Sequence, residues 1–159
     1  MSQPLLLVDA DSCPKPQRAI ILKAALKRNI PTLFVADRSL PDVIEAQHPE
    51  IVSMLVVEKG DDSADDTLVT YAKQGFGLLA ITRDMVLADR LVELNLTVID
   101  DRGGVYTKDN MKERLSLRNL MTDLREQGIY AQKTRPLGPK EIQGFANALD
   151  RELTRLVIQ

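Results

Sequence analysis

The sequence contains one cysteine, one histidine and no tryptophan. Cys13 therefore has no partner for an internal disulfide, and Cys13 with His48 is too small a set for the Cys/His clusters that hold zinc. Aromatic residues make up 4% of the chain, and Phe34, Tyr71, Phe76, Tyr106, Tyr130 and Phe145 do not interleave with basic residues. Such a pattern does not build a stacking platform for single-stranded nucleic acid, so any polynucleotide would be held mainly through its backbone. No apolar run approaches the roughly eighteen residues that span a bilayer, and Met1 to Val8 lacks the basic start and long apolar stretch of a secretory signal. The expectation is a cytoplasmic protein with no membrane partner.

What is present is enough apolar content, 44% of 159 residues, for one substantial core, and too short a chain for two ordinary domains. One domain over residues 1–159 is expected. Leu5 to Val8 is a short apolar run ending in Asp9, read as a buried strand; Lys15 to Arg28 carries Ile20, Ile21, Ala24 and Ala25 at helical spacing and is stopped by Asn29 and Pro31. Strands are expected at 32–36, 52–57, 78–82 and 96–99, with helices at 41–47, 63–74 and from about Val86 to Asn95 between them. Alternation of this kind argues for βαβ units and a mainly parallel sheet of about five strands with helices on both faces, a three-layer α/β/α arrangement. Residues 1–101 form this core. Residues 102–159 form a helical C-terminal part, with helices at about 109–127 and 139–157 packed on the sheet and a loop from Gly128 to Gly138.

Ligands of open parallel sheets gather outside the carboxyl ends of the strands. Asp9 and Asp11 follow the first strand, Asp62 and Asp65 lie at the helix start after the third, Asp84 follows the fourth, and Asp100 and Asp101 follow the fifth. Carboxylates crowded at one edge repel one another and raise each other's pKa values unless a cation neutralises them, and hard Mg²⁺ or Mn²⁺ takes oxygen ligands without histidine. Asp62, Asp65 and Asp84 fit helix N-caps as well as they fit ligands, and Asp11 fits an Asx-type turn ahead of Pro14. Asp9, ending a buried apolar strand, is the hardest to account for without a charged partner. Asp61, Asp66, Asp100 and Asp101 read as solvated or turn residues, Cys13 as a buried structural thiol, and His48 has no assigned role.

Charge is uneven along the chain: residues 37–101 carry a net −9 and residues 102–140 a net +5. An acidic middle followed by a basic stretch can set a cation site beside a phosphate-binding surface. Arg83 and Arg102 flank the aspartates, and Arg114, Arg118 and Arg125 fall within about 40° of one another on a helix of 3.6 residues per turn. That stripe serves equally as a solvated face steadied by Glu113, Asp123 and Glu126.

The segments Val8-Asp9-Ala10-Asp11-Ser12-Cys13-Pro14, Asp62-Ser63-Ala64-Asp65, Thr82-Arg83-Asp84 with Leu87-Ala88, and Arg102-Gly103-Gly104-Val105-Tyr106-Thr107 with Asn110, followed by Arg118, Met121, Leu124-Arg125, Gly128 and Gly138-Pro139, resemble the bacterial YaiI/YqxD family. That family is similar to the PIN-like nucleases, closest in style to their NYN branch, and the resemblance covers nearly the whole chain. It implies a PIN-like domain in which Asp9, Asp62 and Asp84 hold Mg²⁺ or Mn²⁺, with Asp11 and Asp65 as auxiliary catalytic carboxylates; the last acid of the usual PIN set has no counterpart assigned here. The implied activity is metal-dependent phosphodiester hydrolysis, of RNA ahead of DNA, with Arg83, Arg102, Arg114, Arg118 and Arg125 as phosphate contacts.

Two other readings remain open. A haloacid-dehalogenase-type phosphatase would use Asp9 as nucleophile and Asp11 as general acid, with Asp100 and Asp101 as the later acidic pair, but that chemistry also calls for a lysine and residues 83–99 contain none. A non-catalytic metal- and RNA-binding domain would keep the acidic pocket without turnover.

Overall fold

All four residues of Leu6–Asp9 (β1) are buried, as a strand covered on both faces must be. The computed structural model describes residues 4–60, 63–126 and 137–158. After β1 come a single 3₁₀ turn at Ala10–Ser12, then Lys15–Arg28 (α1), Thr32–Ala36 (β2), Pro41–Glu45 (α2), Val52–Val56 (β3), Ser63–Lys73 (α3), Leu79–Ile81 (β4), Met85–Val92 (α4), Thr97–Ile99 (β5), Val105–Tyr106 (β6), Met111–Glu126 (α5) and Pro139–Ile158 (α6). Local chemistry sets several of these ends. Pro16 occupies the first turn of α1, where a missing N–H is harmless, and Asn29 closes the helix in the left-handed conformation (φ 54°) with its N–H on the Ala25 carbonyl.

The sheet order is β3-β2-β1-β4-β5-β6. The first five strands are parallel, and β6 is antiparallel to β5. Alternation of side chains along each strand divides the core in two. Leu6, Val8, Phe34, Ile81 and Ile99 pack with Ile21 and Ala25 of α1, Val43 of α2 and Phe145 and Leu149 of α6. Leu7, Val35, Ala80 and Val98 pack on the opposite face with Leu68 of α3, Leu87 and Leu91 of α4 and Met111 of α5. The molecule is thus a three-layer α/β structure with a mostly parallel sheet, as the alternation of elements implied.

Two particulars differ from the expectation. The sheet has six strands rather than about five, because Val105–Tyr106 turns back along β5 directly after Gly103-Gly104; two residues are too few to show any periodicity. Secondly, α6 packs along the sheet, whereas α5 buries Met111 and half-buries Leu115 but exposes Leu117 and Leu120. The connection expected from Gly128 to Gly138 lies largely outside the described residues.

The β5–β6 turn depends on glycine. Gly103 has φ +92°, and a Cβ there would lie 2.5 Å from the Gly144 carbonyl oxygen of α6. Asp100 ties the turn from inside, its Oδ1 accepting the N–H groups of Arg102 (2.9 Å) and Gly104 (2.8 Å). Among the described residues no helix is long and apolar enough to cross a membrane.

Candidate functional site

Crossovers run from β1 to β2 to β3 in one direction, and the chain then returns to the other side of β1 as β4. Loops leaving β1 and β4 part in opposite directions, which opens a crevice at their carboxyl ends. A cleft of about 480 Å³ lies there and brings Asp9, Asp11, Asp65 and Asp84 together with Asp37, while Ser12, Ser63 and Arg83 complete its polar wall.

Asp9 is 5% exposed. Thr82 Oγ1 donates to its Oδ2 at 2.7 Å and Ser12 Oγ at 2.9 Å. Each hydroxyl is itself an acceptor, of the Asp84 N–H at 3.0 Å and the Arg83 N–H at 3.4 Å respectively. A hydroxyl that accepts a backbone N–H turns its single proton elsewhere, and Oδ2 of Asp9 is the nearest acceptor of both, the Ser12 hydroxyl also lying 3.3 Å from the Asp9 carbonyl oxygen. Among the described residues no donor reaches Oδ1. Burial raises the pKa of the Asp9 carboxyl, the hydroxyl bonds from Thr82 and Ser12 oppose that rise, and the Asp11 and Asp84 charges add to it.

The other carboxylates have visible structural duties. Asp84 is the N-cap of α4, its Oδ1 accepting from Val86 N (2.9 Å) and Leu87 N (3.3 Å), so the capping alternative holds while the residue also borders the cleft. Asp11 Oδ2 accepts the Asp37 N–H at 2.8 Å and its Oδ1 lies 3.7 Å from Arg38 Nε, which ties the β1 loop to the β2 loop. Asp65 stands in the first turn of α3 and lines the cleft. Asp61 and Asp62 lie outside the described residues. Asp66 is exposed and paired with Arg90 at 3.2 Å, and Asp100 is the turn residue it was expected to be. Asp101 departs from expectation: it is buried, its carboxyl pKa raised by burial and by Asp100 and lowered by Arg83 and Arg102. Cys13 is buried and its thiol is pushed up to about 12, chiefly by burial, as suits a structural thiol.

Among the described residues, Arg83 is the arginine that borders the carboxylate cleft. Arg102 lines a separate recess beside Lys140 and Glu141 at the start of α6, and Arg114 lies over the Tyr106 ring, 4.6 Å from its centroid. Arg118 and Arg125 lie on α5; their side chains are outside the described residues. The structure therefore gathers Asp9, Asp11, Asp65, Asp84 and Arg83 at one place and sets Arg102 and Arg114 outside it. Ser12 and Thr82 entered the sequence reading only as members of its motif segments, and Asp37 was not singled out. Asp37 directly follows β2 while Asp9 ends β1, so Asp37 was open to similar reasoning, whereas the hydroxyls of Ser12 and Thr82 acquire their role toward Asp9 only when their strands are neighbours.

An all-oxygen donor set suits a hard divalent cation in kind. Among the described residues no three His, Cys, Asp or Glu side chains are grouped closely enough to hold a metal ion by themselves; Asp62, the remaining candidate ligand, was outside that search.

Residues 7–155 match a family model described as "Uncharacterized BCR, YaiI/YqxD family". Similar proteins include a UPF0178 protein of Pseudomonas fluorescens (strain SBW25), 47% identical over 152 residues, covering 96% of this chain and 97% of that one. A UPF0178 protein of Treponema pallidum (strain Nichols) is 43% identical over 152 residues, 96% of this chain and 82% of its own. One from Syntrophobacter fumaroxidans is 43% identical over 150 residues, 93% of each.

Proposed function

The chain belongs to the YaiI/YqxD family, and within that family we propose that the carboxylate cleft is the catalytic centre of a Mg²⁺- or Mn²⁺-dependent nuclease acting on RNA in preference to DNA. The observation that carries this reading is Asp9: a buried carboxylate at the switch point of the sheet, with two hydroxyls converging on one oxygen and further carboxylates around the same cleft. A charge in that setting raises the energy of the fold unless a cation offsets it. Asp9, Asp84 and Asp62 would hold the ion. Bound Mg²⁺ or Mn²⁺ supplies Lewis-acid polarisation and lowers the pKa of an attacking water.

The chain's own residues do the rest. Ser12 and Thr82 fix the Asp9 carboxylate plane. Asp11 and Asp65 keep the cleft strongly negative, and Arg83 on its wall offers planar, charge-assisted hydrogen bonds to a phosphate. Among the described residues no lysine lines the cleft, and Asp11 is engaged by Asp37 N–H and Arg38, which favours phosphodiester hydrolysis over the phosphatase alternative. The test is cleavage of RNA and DNA side by side by purified protein with Mn²⁺, and its loss in Asp9→Asn and Asp84→Asn with the fold retained. Failure to cut any RNA or DNA overturns the proposal; salt-sensitive RNA binding that persists in Asp9→Asn without cleavage supports the binding-only alternative instead.

A further inference from the structure

Where the arginine charges go is informative. Among the described residues, the side chains of Arg18, Arg28, Arg38, Arg90, Arg151 and Arg155 each have a carboxylate partner. Among the described residues Arg83, Arg102 and Arg114 have none within ion-pair distance; Arg83 follows β4, Arg102 follows β5 and Arg114 lies over Tyr106 of β6. Asp101 acts electrostatically on Arg83 and Arg102 without a direct ion pair, and an arginine outside a direct pair keeps its planar fork open to a phosphate.

Arg114 is moreover held in place. Its guanidinium lies 4.6 Å from the Tyr106 ring centroid, and Tyr106 is 7% exposed. The Tyr106 hydroxyl donates to Asp100 Oδ2 at 2.5 Å, while Asp100 Oδ1 accepts the Arg102 and Gly104 N–H groups. Ring, carboxylate and turn form one rigid unit. Asp100 follows β5, two strands from β1, so this unit stands roughly 10 Å from Asp9 along the sheet edge.

We propose that Tyr106 is a positioning residue whose ring, anchored by Asp100, presents Arg114 to a phosphate of the same polynucleotide strand beyond the one held in the carboxylate cleft. This rests on the nuclease reading for the identity of the strand, but it is tested by binding alone. The probe is fluorescently labelled single-stranded RNA of four and of twelve nucleotides, titrated by anisotropy with the Asp9→Asn protein in EDTA over a range of salt concentrations. Arg114→Ala is expected to weaken the twelve-nucleotide RNA about tenfold, the scale of one charge-assisted contact, and to reduce the salt slope by about one. The loss shrinks for the four-nucleotide RNA. Tyr106→Leu reproduces it, Tyr106→Phe, which keeps the ring but loses the anchor to Asp100, binds between the wild type and Tyr106→Leu, and the Tyr106→Leu/Arg114→Ala double variant is no weaker than either single one, because both remove the same contact. Melting curves identify any variant that has failed to fold, in which case Tyr106→Phe and Arg114→Ala alone decide. Unchanged affinity and salt slope in Arg114→Ala, additive losses in the double variant, or no RNA binding by the parent protein each overturns the proposal. RNA binding with these dependences, alongside absence of cleavage in the metal-loaded wild type, would leave it standing while removing the catalytic reading.

Discussion

Burial and two neighbouring carboxylates act on Asp9 in the same direction, and two hydroxyls act against them. A carboxyl whose pKa is raised on folding binds more protons in the folded state than in the unfolded chain. Stability therefore falls as pH climbs from the ordinary value of 3.8 through the raised one, and the deficit persists above it. Asp9→Asn keeps an oxygen for Ser12 and Thr82 and removes the charge. In EDTA it is expected to raise the melting temperature near pH 7 and to gain little near pH 4, while abolishing hydrolysis with Mn²⁺. A melting temperature at pH 7 equal to or below that of the wild type would contradict this account. Thr82→Val removes both the donor to Asp9 and the acceptor of the Asp84 N–H. Losing those bonds in a buried setting should cost about 1–3 kcal/mol in chemical denaturation, and nuclease turnover should fall with it. The exceptional position of Asp9 was legible in the sequence, since the run Leu6-Leu7-Val8 ends in it. The role of Thr82 was not, because it stands 73 residues away in the chain from the carboxylate it serves.

Elements enter through α4 and the β5–β6 turn. Asp84 caps α4 and borders the cleft, and the two duties separate chemically. Asn is as good an N-cap as Asp, whereas Ala costs about 1 kcal/mol. Asp84→Asn is thus expected to melt close to the wild type and Asp84→Ala measurably below it, with hydrolysis lost in both; equal stability of the two would show that the cap is not what the aspartate contributes. At Gly103 a side chain would have to adopt φ +92° and would meet the Gly144 carbonyl oxygen at 2.5 Å. Gly103→Ala should destabilise the fold by about 1–3 kcal/mol, read as a lower denaturation midpoint, because α6 must withdraw from the turn. Helix α1 could be delimited from the sequence at Lys15 and Arg28, with Asn29 and Pro31 as stop signals, and the structure has those bounds. Strand β6 could not: its two residues pair with β5 only because the Asp100–Gly104 turn directs them there.

For the whole molecule the distribution of charge decides behaviour. The acidic middle of the chain, residues 37–101 at net −9, supplies Asp37, Asp65 and Asp84 to one cleft already holding Asp9 and Asp11, and Arg83, Arg102 and Arg114 make no direct ion pair among the described residues. If the cleft takes a cation in the folded state only, saturating Mn²⁺ stabilises by mass action, about 2.7 kcal/mol at a hundred times Kd. The melting temperature should rise with Mn²⁺ in the wild type and stay unchanged in Asp9→Asn; no rise in the wild type would count against an occupied ion site. The sequence by itself determined the class of fold, because strand runs, helix periodicity and stop signals are local properties, and it marked the carboxyl edge as the candidate by its aspartates after the first, third, fourth and fifth strands. Only the tertiary structure decided which carboxylates meet, which hydroxyls hold Asp9, that Asp101 is buried, and that Arg114 is seated on Tyr106. Those depend on the order β3-β2-β1-β4-β5-β6, a long-range pairing that makes neighbours of residues remote in the chain and that no local pattern specifies.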